Sequence, residues 1–138
     1  MRLVHSFQIT QIDKAIGYDG YLSFSEKGLY IKIDRIHIEE DAARVLNGCS
    51  INFNRAGCPL VEIVTAPDIF TPEEAEFVMI EIKDLLQSIG VSECKMEEGG
   101  LRFETNISIR PIEEEGLGTR VEIKNINSIS NCVEAIKY

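Results

Sequence analysis

Much of this chain is written in period two. Between residues 101 and 110, Leu101, Phe103, Thr105, Ile107 and Ile109 alternate with Arg102, Glu104, Asn106, Ser108 and Arg110. Val121 and Ile123 likewise oppose Arg120, Glu122 and Lys124. Successive side chains of a strand point to opposite faces, so this lettering demands one buried and one wetted face. Antiparallel sheets meet that demand, whereas parallel sheets are usually covered on both sides. The loop PIEEEGLG, Pro111 to Gly118, joins the two stretches, and an antiparallel pair is the simplest arrangement. Upstream, Tyr21-Leu22-Ser23-Phe24 and Leu29, Ile31 and Ile33 flank Glu26-Lys27-Gly28 and read as a hairpin. Turn signals precede it at Gly17 and Asp19-Gly20. Alternation resumes at Ile36 and Ile38 out of phase with Ile31 and Ile33, which places a bulge or bend near Asp34-Arg35. PLVEIV, residues 59–64, is a short apolar strand.

Two stretches break this rhythm. Thr71-Pro72-Glu73-Glu74 opens a helix, with Thr71 as N-cap, Pro72 at the first helical position and Glu74 closing a capping box. Ala75, Val78, Met79, Ile82, Leu85, Leu86 and Ile89 follow at helical spacing as a core stripe, and Gly90 stops it. Ser128 caps a second helix carrying Ile129, Cys132, Val133 and Ile136, which runs to Tyr138. Strands with two helices make the class α+β, an antiparallel sheet with flanking helices.

A chain of 138 residues suits one domain or a piece of one. With 14 Lys and Arg against 23 Asp and Glu, the net charge is −9, which excludes a generally basic nucleic-acid domain but not a local site. No apolar run approaches the ~18 residues of a membrane span, so no membrane association is expected. The N-terminus lacks the apolar core of a secretory signal. Cys49, Cys58, Cys94 and Cys132 form no CxxC and read as reduced, mostly buried thiols of a cytoplasmic protein.

The polar face of residues 102–124 carries mixed charge in close register: Arg102, Glu104, Arg110, Arg120, Glu122 and Lys124. Glu104 and Glu122 can face one side of one hairpin. Glu62 lies between Val61 and Ile63, and Glu40 two residues past Ile38. A carboxylate in an apolar strand is costly unless a cation or donor meets it. Oxygen ligands without His or Cys suit Mg²⁺, a hard ion that commonly bridges nucleotide phosphates. Arg102, Arg110, Arg120 and Lys124 can then clamp phosphates. A paired-carboxylate hydrolase stays open, since spacing alone does not give the separation it needs. His37 alternates with apolar neighbours and reads as structural; His5 has no identifiable partner. No nucleophile triad, dinucleotide fingerprint or P-loop occurs. Gly99-Gly100 reads as a turn, and Glu113-Glu114-Glu115 as a solvated loop.

Several segments together resemble a known family. IHIEEDAARV (Ile36 to Val45), NRAGCPLVEIVTAPDI (Asn54 to Ile69), KMEEGGLRFETNISIRP (Lys95 to Pro111) and GTRVEIKNINS (Gly118 to Ser128) are similar, in order, to segments of the B subunit of aspartyl/glutamyl-tRNA amidotransferases. FQITQIDKAIG (Phe7 to Gly17) is similar to a further upstream stretch. The resemblance implies a glutamine synthetase-like catalytic cradle. There, ATP phosphorylates the side-chain carboxylate of Glu-tRNA(Gln) or Asp-tRNA(Asn), and ammonia displaces the phosphate. The implied partners are an amidase, the A subunit of the enzyme, which supplies ammonia from glutamine; a small C subunit that tethers the complex; and misacylated tRNA.

The resemblance also carries site residues. Glu40 and Glu122 match metal-coordinating glutamates. Glu104 stands, one methylene longer, where the family has an aspartate. Glu62 matches a metal or tunnel position. Arg102 and Lys124 match basic residues beside these carboxylates, so that Glu104, Arg102 and Lys124 form the expected catalytic set. Arg102, Lys124 and Arg120 are the expected contacts to ATP, and Asn54-Arg55 matches a loop near the site. Ala43, Cys58, Gly99 and Phe103 depart from the family pattern. The family's N-terminal ExHxxL metal-binding segment and its C-terminal helical and tail domains have no counterpart in the sequence. Residues 1–138 therefore read as an incomplete catalytic domain that does not transamidate alone. The competing expectation is a non-catalytic interaction module for the amidase or tRNA.

Overall fold

The computed structural model describes residues 14–48 and 50–138. His5 and most of the Phe7 to Gly17 segment lie outside the described residues, as does Cys49. The chain forms two compact units, the first ending at Asp68 and the second covering Ile69–Tyr138.

The first unit contains β1 (Gly17–Phe24), β2 (Leu29–Glu40), β3 (Arg44–Leu46), β4 (Ser50–Asn52) and β5 (Pro59–Thr65). Antiparallel pairing gives a sheet of order β1-β2-β5 and a separate β3-β4 hairpin. The expected hairpin closes with Phe24 opposite Leu29, and Gly28 takes a positive φ of 64° in its turn. The turn signals at Gly17 and Asp19-Gly20 mark no turn between strands, because all three residues lie within β1. Asp19, at φ 55°, is an irregularity inside the strand. The β3-β4 hairpin was not anticipated. Its signal is Asn47-Gly48, a pair suited to positive φ, and both residues adopt it at 48° and 72°.

The expected bulge is present as a register shift between Ile33 and Arg35 against β5. Its consequence differs from a simple restoration of the apolar face. Ile31 and Ile33 are buried before the shift, yet after it His37 is 1% exposed and Ile38 is 43% exposed. An extra residue reverses which face an odd-numbered position occupies. Burial of odd positions on both sides of the shift therefore means that the two halves of β2 are covered on opposite faces.

The second unit contains α1 (Pro72–Ser88), β6 (Phe103–Ile107), β7 (Val121–Ile126) and α2 (Ile129–Lys137). At the start of α1, Thr71 Oγ1 accepts from the Glu74 N–H at 3.1 Å, while Glu74 Oε2 accepts from the Thr71 N–H at 3.3 Å. Gly90 follows the helix at φ 71°. Ser128 caps α2 by accepting from the Asn131 N–H at 3.1 Å. Ala75 and Met79 of α1 pack with Cys132 and Val133 of α2, and Phe103 and Ile126 of the β6-β7 ribbon lie against that cluster. Burial pushes the Cys132 thiol above the ordinary cysteine range. Cys94 is also buried, whereas Cys58 is exposed; all three are free thiols.

Two sequence expectations are trimmed. Leu85 and Ile89 are exposed, so the α1 stripe is fully buried at Ala75, Val78 and Met79 and only half-buried at Ile82 and Leu86. The nine residues of α2 extend about 13 Å against about 25 Å for the seventeen of α1. The first strand of the ribbon ends at Ile107, and Ile109 is 88% exposed. A Cβ at Gly118 would collide with the Ile109 carbonyl, so the returning loop takes the place of a ladder partner there. Arg110 belongs to that loop: its guanidinium donates to the Gly116 carbonyl, which removes it from the strand face where the sequence placed it.

Removing the capping hydroxyl with Thr71→Ala is expected to cost about 1 kcal/mol, read by urea unfolding followed by helix circular dichroism. An unchanged midpoint would show that the cap carries no stability.

Candidate phosphate and cation site

Because Phe103 and Ile126 face the helices, the alternate residues of the ribbon face outward. The pairing sets Phe103 opposite Ile126 and Thr105 opposite Ile123, so Lys124 and Asn125 together stand against Glu104 alone. Asn125 absorbs this extra residue at φ 62°, a conformation asparagine tolerates better than most side chains. One step further, Asn106 pairs with Glu122. The outward face thus reads, end to end, Arg102, then Glu104 with Lys124, then Asn106 with Glu122, then Arg120.

Lys124 Nζ lies 3.2 Å from Glu104 Oε2 and 3.2 Å from Glu122 Oε1, and all three side chains are about half exposed. The hydrogen bonds that Lys124 donates to Glu104 and then to Glu122, with the charges of the two carboxylates, raise its ammonium above the ordinary lysine value of 10.5. The two carboxylates that the sequence placed on one side of a hairpin therefore converge on one cation. Arg102 and Arg120 are exposed and flank this centre from opposite ends of the ribbon. Six residues of extended strand span roughly 20 Å, so a phosphate at Lys124 has one arginine on each side rather than both together.

In the first unit, the EED triplet divides differently from the expectation. Glu40 ends β2 exposed to solvent, so it does not sit in an apolar setting, and the buried member is Asp41 at 8% exposure. Asp41 Oδ2 accepts from Arg55 Nε at 2.7 Å, and Asp41 Oδ1 accepts from the Ala42 N–H at 3.0 Å. Its backbone N–H donates to the Cys58 carbonyl, and its own carbonyl accepts from Gly57. One aspartate thus ties the Asn54-Arg55 loop to the end of β2, beside Glu40. Sequence reading passed over Asp41; the signal was an acidic residue just beyond a strand, with an arginine in the matched loop downstream. Glu62 lies on β5 opposite His37, and its Oε2 is buried without a partner, as is His37 Nδ1.

Among the described residues, no group of three or more His, Cys, Asp or Glu side chains is close enough to hold a metal ion. The expected set is split: Glu40 and Glu62 in the first unit, Glu104 and Glu122 in the second. The KMEEGG segment forms a turn, with the Gly99 N–H donating to Met96 and the Gly100 N–H to Lys95. No helix among the described residues is long and apolar enough to cross a membrane.

An α+β chain with charged, solvent-facing ribbons defines a broad class, and comparison with known proteins narrows it. Residues 1–138 match the GatB/GatE catalytic domain, and the chain belongs to that family. It is 44% identical over 142 residues to the B subunit of the aspartyl/glutamyl-tRNA(Asn/Gln) amidotransferase of Caldanaerobacter subterraneus subsp. tengcongensis, covering 99% of this chain and 30% of that protein. The similarly named proteins of Clostridium botulinum and Shouchella clausii are 48% and 45% identical over 139 residues, covering 96% of this chain and 29% of each. The chain spans less than a third of the length of these curated relatives.

Two outcomes follow from this geometry. Arg55→Ala leaves a nearly buried Asp41 carboxylate without its guanidinium and is expected to cost about 1.5–3 kcal/mol in urea unfolding, with Arg55→Lys losing less. A raised lysine pKa means that the Lys124 ion pairs hold in full below the ordinary lysine value and are lost as pH rises through the folded one. Glu104→Gln with Glu122→Gln is expected to lower the Lys124 titration midpoint in an NMR pH series; an unmoved midpoint would show that neither carboxylate governs it.

Proposed function

We propose that this chain is part of the carboxylate-activating centre of an aspartyl/glutamyl-tRNA amidotransferase, working in the cytoplasm of a bacterium. Family membership supports the reading, and the observation that carries it is the shared approach of Glu104 and Glu122 to Lys124 on the open face of the ribbon. In the reaction, a side-chain carboxylate oxygen of Glu-tRNA(Gln) or Asp-tRNA(Asn) attacks the terminal phosphorus of ATP, and the bond to ADP breaks. Ammonia then attacks the acyl carbon, phosphate leaves with the bonding pair, and a proton is lost to give the amide. The assembly is completed by an amidase, the A subunit, which releases ammonia from glutamine, and by a small C subunit. A glutamine synthetase-like cradle is the fold counterpart of this chemistry.

Each residue has a part in that scheme. Lys124, kept cationic by its two neighbours, meets the negative charge of the transferring phosphoryl group. Arg102 and Arg120 contact other oxygens of ATP from either end of the ribbon. Glu104 and Glu122 are the residues that would hold Mg²⁺, giving it exposed hard oxygens in exchange for the Lys124 ammonium they share. Bound there, Mg²⁺ would neutralise phosphate charge. Glu40 and Glu62 offer further oxygen donors within the first unit.

Calorimetric titration of Mg²⁺-ATP tests this reading. Saturable binding that weakens at least tenfold in Glu122→Gln and in Glu104→Gln is expected. Absence of binding by a folded chain would favour the interaction-module reading, in which the ribbon meets a protein or RNA without nucleotide.

A further inference from the structure

Glu104 and Glu122 sit on different strands of the ribbon and are not paired across it, since Asn106 stands opposite Glu122. What joins them is one nitrogen: Lys124 Nζ lies 3.2 Å from an oxygen of each. Two carboxylates on one face repel unless a cation stands between them. Two hard oxygens gathered round a single positive charge are also the donors that a divalent ion takes. The side chains of Glu104, Glu122 and Lys124 are 49%, 42% and 51% exposed, so water reaches the same space. Carboxylates engaged by the ammonium are not free to hold Mg²⁺, and an ammonium held by two carboxylates is not free to meet phosphate. The parts assigned to these three residues are compatible only if their partners are exchanged.

We propose that Lys124 is a place-holding cation: its ammonium occupies the seat that Glu104 and Glu122 offer to a divalent ion, yields it when that ion binds, and is thereby freed to meet the nucleotide phosphate. The proposal rests on the carboxylate-activating reading and adds a coupling between its two ligands. Exposed ion pairs are weak enough to be exchanged. The lysine stem is flexible and carries three donors, so the ammonium changes partner without movement of the backbone. In the absence of nucleotide, Lys124 competes with the metal ion. In its presence, phosphate receives the displaced ammonium, and each ligand favours the other by the same factor.

Mn²⁺ without nucleotide is the first probe, titrated into this chain and followed by electron paramagnetic resonance. Lys124→Met is expected to bind it about threefold tighter or more, because the built-in competitor is gone. The same variant is expected to bind Mg²⁺-ATP more weakly than the wild type. Damage to the fold would weaken both, so the opposite signs separate the exchange from a structural defect. Lys124→Arg keeps a cation in the seat and is expected to return Mn²⁺ affinity towards that of the wild type. Lys137→Met, which removes the same charge from α2, is expected to leave it unchanged. In the free chain, NMR is expected to show hydrogen-bond couplings from the Lys124 ammonium to the carboxylate carbons of Glu104 and Glu122, and saturating Mg²⁺ is expected to abolish them. Mn²⁺ bound no tighter by Lys124→Met, or couplings that persist at saturating Mg²⁺, would overturn the proposal. The amidotransferase reading fails on a different result: a Glu104→Gln, Glu122→Gln double variant that binds Mg²⁺-ATP as the wild type does.

Discussion

The contact of Phe103 and Ile126 with the α1-α2 pair decides which way the β6-β7 ribbon faces. Two-stranded ribbons have little stability alone, and this one is held by the apolar cluster of Ala75, Met79, Cys132 and Val133 beneath it. Once that face is buried, the period of two leaves Glu104, Asn106, Glu122 and Lys124 no choice but the outer face. The charged centre is thus a consequence of apolar packing on the reverse side. The bulge at Lys124 and Asn125 adds the local adjustment, setting two residues against Glu104 so that one ammonium meets both carboxylates.

Much of this was legible in the sequence because it rests on local rules. The capping box at Thr71, the Ser128 cap, the first hairpin and the shift near Asp34-Arg35 each depend on a few neighbouring residues. The convergence of Glu104 and Glu122 follows from strand phase. What escaped depends on contacts between distant segments. Strand phase gave no means of knowing that Gly118 crowds the Ile109 carbonyl, and so Arg110 was placed on a strand it leaves. Nor does alternation reveal which face of β2 is covered after its bulge, where His37 is buried and Ile38 exposed.

The first unit shows how little an acidic motif says about its own division of labour. In Glu39-Glu40-Asp41, the shortest side chain is the one turned inward, where it holds Arg55 and the 53–58 turn against the end of β2. Glu40 is left in solvent beside this anchor. An exposed carboxylate next to a fixed turn is well placed to receive a ligand without disturbing the fold, whereas a substitution at Asp41 acts on the fold itself. Activity losses at the two positions therefore have different physical meanings and separate when stability is measured beside them.

The central claim is that the outer face of the β6-β7 ribbon meets phosphate. Backbone amide shifts recorded by NMR during addition of a non-hydrolysable Mg²⁺-ATP analogue test it most directly. Saturating shifts concentrated at residues 102–106 and 120–125 are expected, largest around Glu104 and Lys124. A saturating response elsewhere in the chain that leaves the ribbon unmoved would contradict the claim.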